Sequence, residues 1–507
     1  MVLCLAGFAT RKDLVGVTSI VRALGLAPAC YDRLPDFFHS PALNLNQLTR
    51  AWSALVFRAH PAILRVNGRP VLAGDGIQVA KAGRKMPGVK KLHRQSESNT
   101  KPEFIFGHSC QAVTVLTQAL SSVFALPLAC RIHEGSVFSN RDHRTLLDKM
   151  ILLIDSLAIQ EPFYFVADAY YATGNIVRGL LAHDNHLVTR VKSNSVAFFP
   201  AAPPPPNRPR PKGRPVKYGK KIQVAALLKQ TGQFQKAPSP VYGERGVILK
   251  SRAADLLWRP VGILVSFVVV LHPQRGAILL MCTDLMLSPL DIIRIYGLRF
   301  KIEVSFKQAL HVIGAYAHHF WMAAMTPLRR VTGNQYLHRT SEVYRNAVRR
   351  KIAAYHRHIQ LGLIARTCFR SSHGALDKVH HLRRRPPVAL LAQPLFEVFF
   401  ETVGGLQIVR QRADFAPRSR AGPSFGSTAQ PPRLARTMPP ARGAMAKPAL
   451  RRVSRRSAKL GFLRCCRRKN IYPNIVGWRG ADSSSAASPR IPRDVLWIPT
   501  GAESAPA

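Results

Sequence analysis

The sequence predicts an α/β protein built on a mixed sheet flanked by helices, with a β-rich insertion, a helical N-terminal region and a basic C-terminal tail. Three observations carry this expectation. Between residues 163 and 192 the order reads strand, helix, strand, the unit that sets two parallel strands side by side. Residues 261–282 hold two apolar runs around His272-Pro273-Gln274-Arg275-Gly276, a buried hairpin interrupted by its own turn. Helical spacing recurs near the start, before the 163–192 unit, and again in two stretches after residue 290.

Taken in order, residues 1–60 read as helices, from Val15 to Leu24 and from Leu43 to Phe57, the second behind Ser40 as cap with Pro41 following it. Met1 to Thr10 is apolar but short and lacks the basic leader of a secretory signal. Strand pattern follows in Ile63–Val66 and Pro70–Lys81. A turn-rich basic stretch then runs from Lys81 to Lys101, before strand character returns from Phe104 to Leu126. Thr145 to Ile159 has helical spacing, and Pro162 ends it. Phe163–Ala167 is an apolar strand with Asp168 at its exit; Thr173–Leu181 is a helix and His186–Lys192 the next strand. Pro200–Pro215 is proline-rich, basic and extended, a linker or a segment lying along something acidic. Leu290–His311 reads as one helix with Ile293, Tyr296, Phe300, Val304 and Leu310 along one side. Ser341–Ala365 reads as a second, very basic helix. Residues 412–507 hold 19 Lys/Arg against 4 Asp/Glu among many Pro, Ser, Gly and Ala, the composition of a disordered tail.

The chain has 507 residues, room for two to four domains, and 47% of them are hydrophobic, enough for a sizeable core. Lysine and arginine number 74 against 26 acids, a formal charge of +48. That excess points to a polyanion, most simply nucleic acid, and away from an enzyme of small neutral substrates. Eight cysteines include no CxxC pair and no spaced Cys/His quartet, which argues against a disulfide framework or zinc ribbon and fits a reducing cytoplasm. No membrane span is expected. His318-His319 and His356-x-His358 are expected as basic surface or base-stacking groups, not metal ligands.

With so few acids, those beside apolar runs stand out. Asp75 lies inside a strand pair, Asp168 ends the most hydrophobic strand, and Glu303 lies on a helix between Arg299 and Lys307. The spacings are 168 − 75 = 93 and 303 − 168 = 135 residues, so only folding can gather them. Three clustered carboxylates repel one another, and hard divalent cations such as Mg²⁺ relieve that repulsion. Alone, either aspartate reads more readily as a strand-end cap or a structural ion pair than as a catalytic group.

The words around these acids carry a resemblance. Gly74-Asp75-Gly76-Ile77, Lys85-Met86-Pro87-Gly88-Val89-Lys90, Leu92-His93, Ser96-Glu97, Lys101 to Ile105 and Gly107-His108-Ser109 resemble the first-aspartate region of DDE transposases from bacterial insertion sequences. Phe165-Val166-Ala167-Asp168-Ala169-Tyr170-Tyr171 is similar to the second-aspartate block. Tyr296-Gly297-Leu298-Arg299-Phe300-Lys301-Ile302-Glu303 is similar to the Tyr-x2-Arg-x3-Glu signature of the cut-and-paste type. The likeness runs from about residue 10 to about 366 and includes Gly333–His338. At the position where the family carries a Lys seven residues after the Glu, this sequence has Leu310; Lys307 lies one turn after Glu303.

The resemblance implies an RNase H-like catalytic core. The chain then divides into a helical region (1–60), the first part of the core (61–200), a linker and β-rich insertion (201–286), final core helices with the third acid (287–366) and a basic tail (367–507). It implies that Asp75, Asp168 and Glu303 bind two Mg²⁺ ions, with Mn²⁺ able to substitute, and that Tyr296 and Arg299 meet phosphates at the element's ends. Lys307, one turn beyond Glu303, is placed by helical geometry to join them. Lys85, Lys90, Lys91 and Arg94, just after the first aspartate, and Arg190 and Lys192, after the second, are candidates for holding the DNA backbone. The implied activity is Mg²⁺-dependent strand cleavage at insertion-sequence ends and strand transfer into target DNA, by a homodimer in a bacterial cytoplasm, associated with the nucleoid. The alternative is a degenerate, catalytically dead transposase that only binds nucleic acid.

Overall fold

Asn67 and Gly68, at φ of 47° and 75°, turn the chain from strand β1 (Arg65–Val66) into β2 (Arg69–Ala80), the strand on which the sheet is organised. The computed structural model describes residues 1–376, apart from 15, 61, 94–102, 120–121 and 204–212. All of them belong to one unit by their contacts. Arg94, most of the proline-rich segment and the basic tail from residue 377 therefore lie outside the described residues.

Four helices precede the sheet: α1 (Val2–Thr10), α2 (Thr18–Ala23), α3 (Arg33–His39) and α4 (Leu45–Ala59). The sequence reading missed α1 and α3 and overextended α2. It also placed the α4 cap wrongly: Asn44, not Ser40, accepts from the Asn46 and Gln47 amides at 3.0 and 3.1 Å. The apolar stripe of α4 buries Leu48, Trp52, Leu55 and Val56, and the Trp52 indole donates to the Pro127 carbonyl at 3.0 Å, fixing the helix to the sheet.

After β2 come β3 (Lys90–His93), β4 (Phe104–Ala119), β5 (Ser122–Ile132), the short β6 (Ser136–Val137), helix α5 (Leu146–Asp155), β7 (Tyr164–Ala167), α6 (Gly174–Leu181) and β8 (His186–Arg190). Thr145 and Asp148 form a capping box that starts α5. Neighbouring strands run β5-β4-β2-β7-β8: the first three antiparallel, the last three mutually parallel. This mixed order is consistent with an RNase H-like core. Tyr164 to Ala167 are all fully buried, as a parallel strand covered on both faces requires.

The region after β8 supplies β9 (Val196–Pro200), β10 (Tyr218–Gln223), β11 (Gln235–Pro238), β12 (Ile248–Trp258), β13 (Ile263–His272) and β14 (Gly276–Cys282). The expected hairpin is the β13–β14 pair, with Gly276 at φ 74° in its turn. These strands extend the same sheet: β14 pairs with β8, and β13, β12, β9 and β10 follow outward.

The expected single helix over 290–311 is two helices, α7 (Pro289–Gly297) and α8 (Lys301–His311). Gly297 ends the first, and tight i→i+3 turns (Arg299 N–H to Tyr296 O and Ile302 N–H to Arg299 O, both 3.1 Å) carry the chain into the second. The break turns Val304 outward, to 38% exposure, instead of along the apolar side. Beyond the short β15 (Gln335–Tyr336), which pairs with β6, α9 (Glu342–Leu376) lies against β5 and α1. Several of its basic groups face inward. Arg357 donates to the Leu43 and Phe38 carbonyls at 2.8 and 3.0 Å. His356 takes the Ile132 amide at 2.9 Å, and His358 is fully buried. With His318 stacked on Tyr355 at 4.6 Å, these histidines are core groups rather than the expected surface. Among the described residues no helix is long and apolar enough to cross a membrane.

Candidate active site

Each Cα pair recorded in the β2–β7 ladder is offset by the same interval: Val71 with Tyr164, Leu72 with Phe165, Ala73 with Val166. That interval, 166 − 73 = 93, equals the spacing 168 − 75 = 93 between the two aspartates. Continued two residues past Ala73 and Val166, the register sets Asp75 beside Asp168 with both side chains on one face. The sequence contained the interval; the pairing that makes it meaningful needed the fold.

Asp75 lies on β2 opposite Ala112 of β4, and its Oδ1 accepts from the Gly76 amide at 2.7 Å. Asp168 leaves β7 as the cap of a single 3₁₀ turn, accepting from the Tyr170 amide at 3.1 Å, while its carbonyl accepts from the Thr189 hydroxyl on β8 at 2.7 Å. Glu303 stands in the first turn of α8. Arg299, in the break before α8, joins two of the three: Nη1 lies 3.0 Å from Asp75 Oδ2 and Nη2 lies 2.9 Å from Glu303 Oε1.

The electrostatics show the three acids to be neighbours. Burial pushes the Asp75 carboxyl up to about 7; Arg299 and the Gly76 amide oppose the rise, while Asp168 and Glu303 add to it. Burial also raises Asp168, with Arg299 and the amides of Tyr170 and Tyr171 opposing and Glu303 adding. Arg299 goes the other way: the carboxylates of Asp75, Glu303 and Asp168, together with Tyr296, outweigh its burial and raise its pKa further. Tyr296 is raised by burial against the pull of Arg299, which hydrogen-bonds to it, and of the Arg190 charge.

As the side chains lie, no group of three His, Cys, Asp or Glu among the described residues is arranged to hold a metal ion. Arg299 bridges Asp75 and Glu303. The donor set nonetheless suits a hard divalent cation, since all three groups are carboxylates. Burial is the chief cause of the raised Asp75 carboxyl, and Arg299 only partly offsets it.

The other expected site residues divide. Arg190 ends β8, and its charge reaches Tyr296. Lys307 is exposed on α8, one turn beyond Glu303, whereas Leu310 is partly buried and packed on the core. Lys192 is exposed just past β8. Lys85 donates to the Ala323 carbonyl at 3.2 Å, Lys90 pairs with Glu134 at 3.1 Å, and the Lys91 ammonium lies 3.8 Å from the centre of the Phe104 ring. Those three lysines are engaged in holding the β3 region and the 320s segment in place. Two residues with no expected role stand behind Asp75: the Gln111 amide donates to the Tyr171 hydroxyl at 3.0 Å, and Tyr171 feels the Asp75 charge. Tyr171 lies in the second-aspartate block; Gln111 reaches it only because β4 pairs with β2.

No curated protein matches the chain. A solved structure described as piggyBac transposase synaptic complex with hairpin DNA is similar over 82% of this chain and 73% of that one, at 10% identity and a TM-score of 0.28, a likeness too low to carry any argument. The sequence model described as DDE superfamily endonuclease matches residues 3–240, a span that takes in Asp75 and Asp168 and stops short of Glu303. That match supports a protein of the DDE transposase type.

Proposed function

We propose that this chain is a transposase that cuts DNA at the ends of its own insertion sequence and joins the freed 3′ ends to target DNA. Asp75, Asp168 and Glu303 would hold two Mg²⁺ ions, with Mn²⁺ able to substitute. The observation that carries the reading is the shared interval of 93 in the β2–β7 register and in the aspartate spacing, with Glu303 tied to Asp75 through Arg299. When bound, the ions activate the attacking hydroxyl and steady the leaving oxygen of an in-line phosphodiester displacement.

The chain's own residues orient the site and the strand. Hydrogen bonds from Gly76 and Tyr170 hold the two aspartate carboxylates in fixed rotamers. Arg299 and Arg190 carry guanidinium forks suited to phosphate oxygens, and Lys307 extends that charge along α8. Water serves in cleavage and the freed 3′-hydroxyl in joining, so no covalent enzyme intermediate is involved. The protein works as a homodimer on paired ends, in a bacterial cytoplasm at the nucleoid.

A nicking assay on DNA carrying the element's ends tests this. Wild type nicks in Mg²⁺, and Asp168→Asn binds the same DNA yet cuts at least about a hundredfold more slowly, a loss typical of removing one transition-state charge stabiliser. If both bind with equal salt dependence and neither cuts in Mg²⁺ or Mn²⁺, the protein is a nucleic-acid binder that has lost its chemistry.

A further inference from the structure

A second basic feature lies off the carboxylate cluster. Where β5 ends, Arg131, His133, Arg144 and Lys149 line a cavity of about 290 Å³ together with Asn46 and Ser156. Leu152 and Leu153 complete the lining; Arg131, Arg144 and Lys149 are its cationic groups, burial pushes His133 down to about 3, and no lining residue is acidic. Arg131 is only 8% exposed, and its guanidinium donates to neutral acceptors alone: the Cys130 carbonyl at 2.9 Å, Gln360 Oε1 at 3.0 Å and Thr49 Oγ1 at 2.6 Å. Lys149 donates one hydrogen to the His133 carbonyl at 2.8 Å. Among the described residues, the nearby ion pairs are Lys90 with Glu134 and Arg144 with Asp142, and none includes Arg131 or Lys149.

A guanidinium withdrawn from water without a counter-charge carries a desolvation cost that neutral acceptors offset only in part, and an arriving anion relieves it. The cavity supplies the space, and Arg144 and Lys149 supply further donors at its wall. We propose that this cavity is a phosphate-binding site in which Arg131, Arg144 and Lys149 hold a phosphate group. Arginine forks match phosphate oxygens in pairs, and lysine adds a movable point charge. For a chain of charge +48 the favoured source is the DNA backbone; the other is a free phosphate compound. The cavity is linked to the candidate active site. His133 Nδ1 lies 2.6 Å from Gln111 Oε1, and the Gln111 amide donates to Tyr171 beside Asp75. A phosphate seated here lies three side chains, His133, Gln111 and Tyr171, from the acid at which cutting is proposed, yet its binding needs no metal.

The test uses the full chain in metal-free buffer, comparing inorganic phosphate with chloride at equal ionic strength. Phosphate is expected to raise the melting temperature of wild type and of Asp75→Asn by several degrees. The rise disappears in Lys149→Gln and shrinks in Arg144→Gln, two substitutions at the cavity wall that leave the buried Arg131 in place. No phosphate-specific rise, or one that survives both substitutions, overturns the proposal. The source is read from DNA affinity against salt. A log–log slope lower by about 0.9 in Lys149→Gln assigns the site to a backbone phosphate. An unchanged slope beside a lost melting shift assigns it to a free phosphate compound. Because Asp75→Asn keeps the melting shift, the phosphate site and the cleavage reading fail independently.

Discussion

Arg299 holds Asp75 through an Nη1–Oδ2 ion pair of 3.0 Å while its other terminal nitrogen holds Glu303 at 2.9 Å. One guanidinium thus sits between two acids proposed to share divalent ions. It offsets the repulsion between the two acids, and it would compete with a cation entering between them. A DNA phosphate can relieve that competition by drawing Arg299 away.

Arg299→Gln should therefore bind Mn²⁺ more tightly than wild type in the absence of DNA. Roughly tenfold is expected, equivalent to about 1.4 kcal/mol of removed competition. Electron paramagnetic resonance of free Mn²⁺ reads this without any cleavage step. An unchanged or weaker affinity would show that Arg299 supports the carboxylates instead of competing for them.

The helix that carries Glu303 makes a second prediction. Lys307 is exposed one turn beyond the acid, while Leu310 packs on the core. Lys307→Ala should lower the slope of log affinity against log salt by about 0.9, one phosphate contact, and leave the melting temperature nearly unchanged. Leu310→Lys should do the reverse, costing about 1–3 kcal/mol because it forces a charge into apolar packing. If Leu310→Lys is neutral to stability and steepens the salt dependence, the family's lysine position is open to DNA here after all.

Much of this arrangement was legible before folding. The β2 and β7 runs declare themselves by apolar content, and Asp168 is visible at the exit of β7. What could not be read depends on pairing across the chain. Gln111 meets Tyr171 only through the β2–β4 ladder, and no local pattern marks a glutamine for that position. Helix α3 escaped notice because Pro35 lies in a seven-residue segment, although a proline in a first turn gives up no helical hydrogen bond. The α7–α8 break escaped because the apolar spacing runs on across Gly297, where the backbone does not. The histidines misled for a related reason: the absence of nearby Cys or acids pointed to basic surface, yet α9, which carries His356 and His358, buries one side against β5.

Those histidines predict the acid behaviour. His108 is fully buried and pushed down to about 3 by burial and the nearby Lys81; His318, His356 and His358 are pushed well below the usual value of 6.5, chiefly by burial. A depressed folded-state pKa means the unfolded chain binds more protons between about 3 and 6.5. The stability these groups contribute is therefore complete above 6.5 and is lost as pH falls through that window. His318→Phe, which keeps a ring between Tyr355 and His108, should make stability fall less steeply between pH 6 and 4.5, by up to about 1.4 kcal/mol per pH unit. Denaturant midpoints across that range measure it, and parallel curves for the two proteins would mean His318 takes its proton without unfolding.

Gly74 joins stability to the register that sets the aspartates side by side. A Cβ at this position would come within 2.1 Å of the Phe165 ring on β7, far inside contact distance. Phe165 is fully buried and pairs with Leu72, so the ring has no open space to take up. Gly74→Ala must then shift β2 against β7 or force the ring off its rotamer, at a cost of about 1–3 kcal/mol. Both outcomes act one residue before Asp75. The variant should lose melting temperature and also lose cleavage beyond what the fraction still folded explains, measured at a temperature where both proteins are fully native. Phe165→Leu in the Gly74→Ala background removes the clashing ring and should restore part of each. Failure of that second change to restore anything would mean that the glycine is needed for its backbone, not for the room it leaves Phe165.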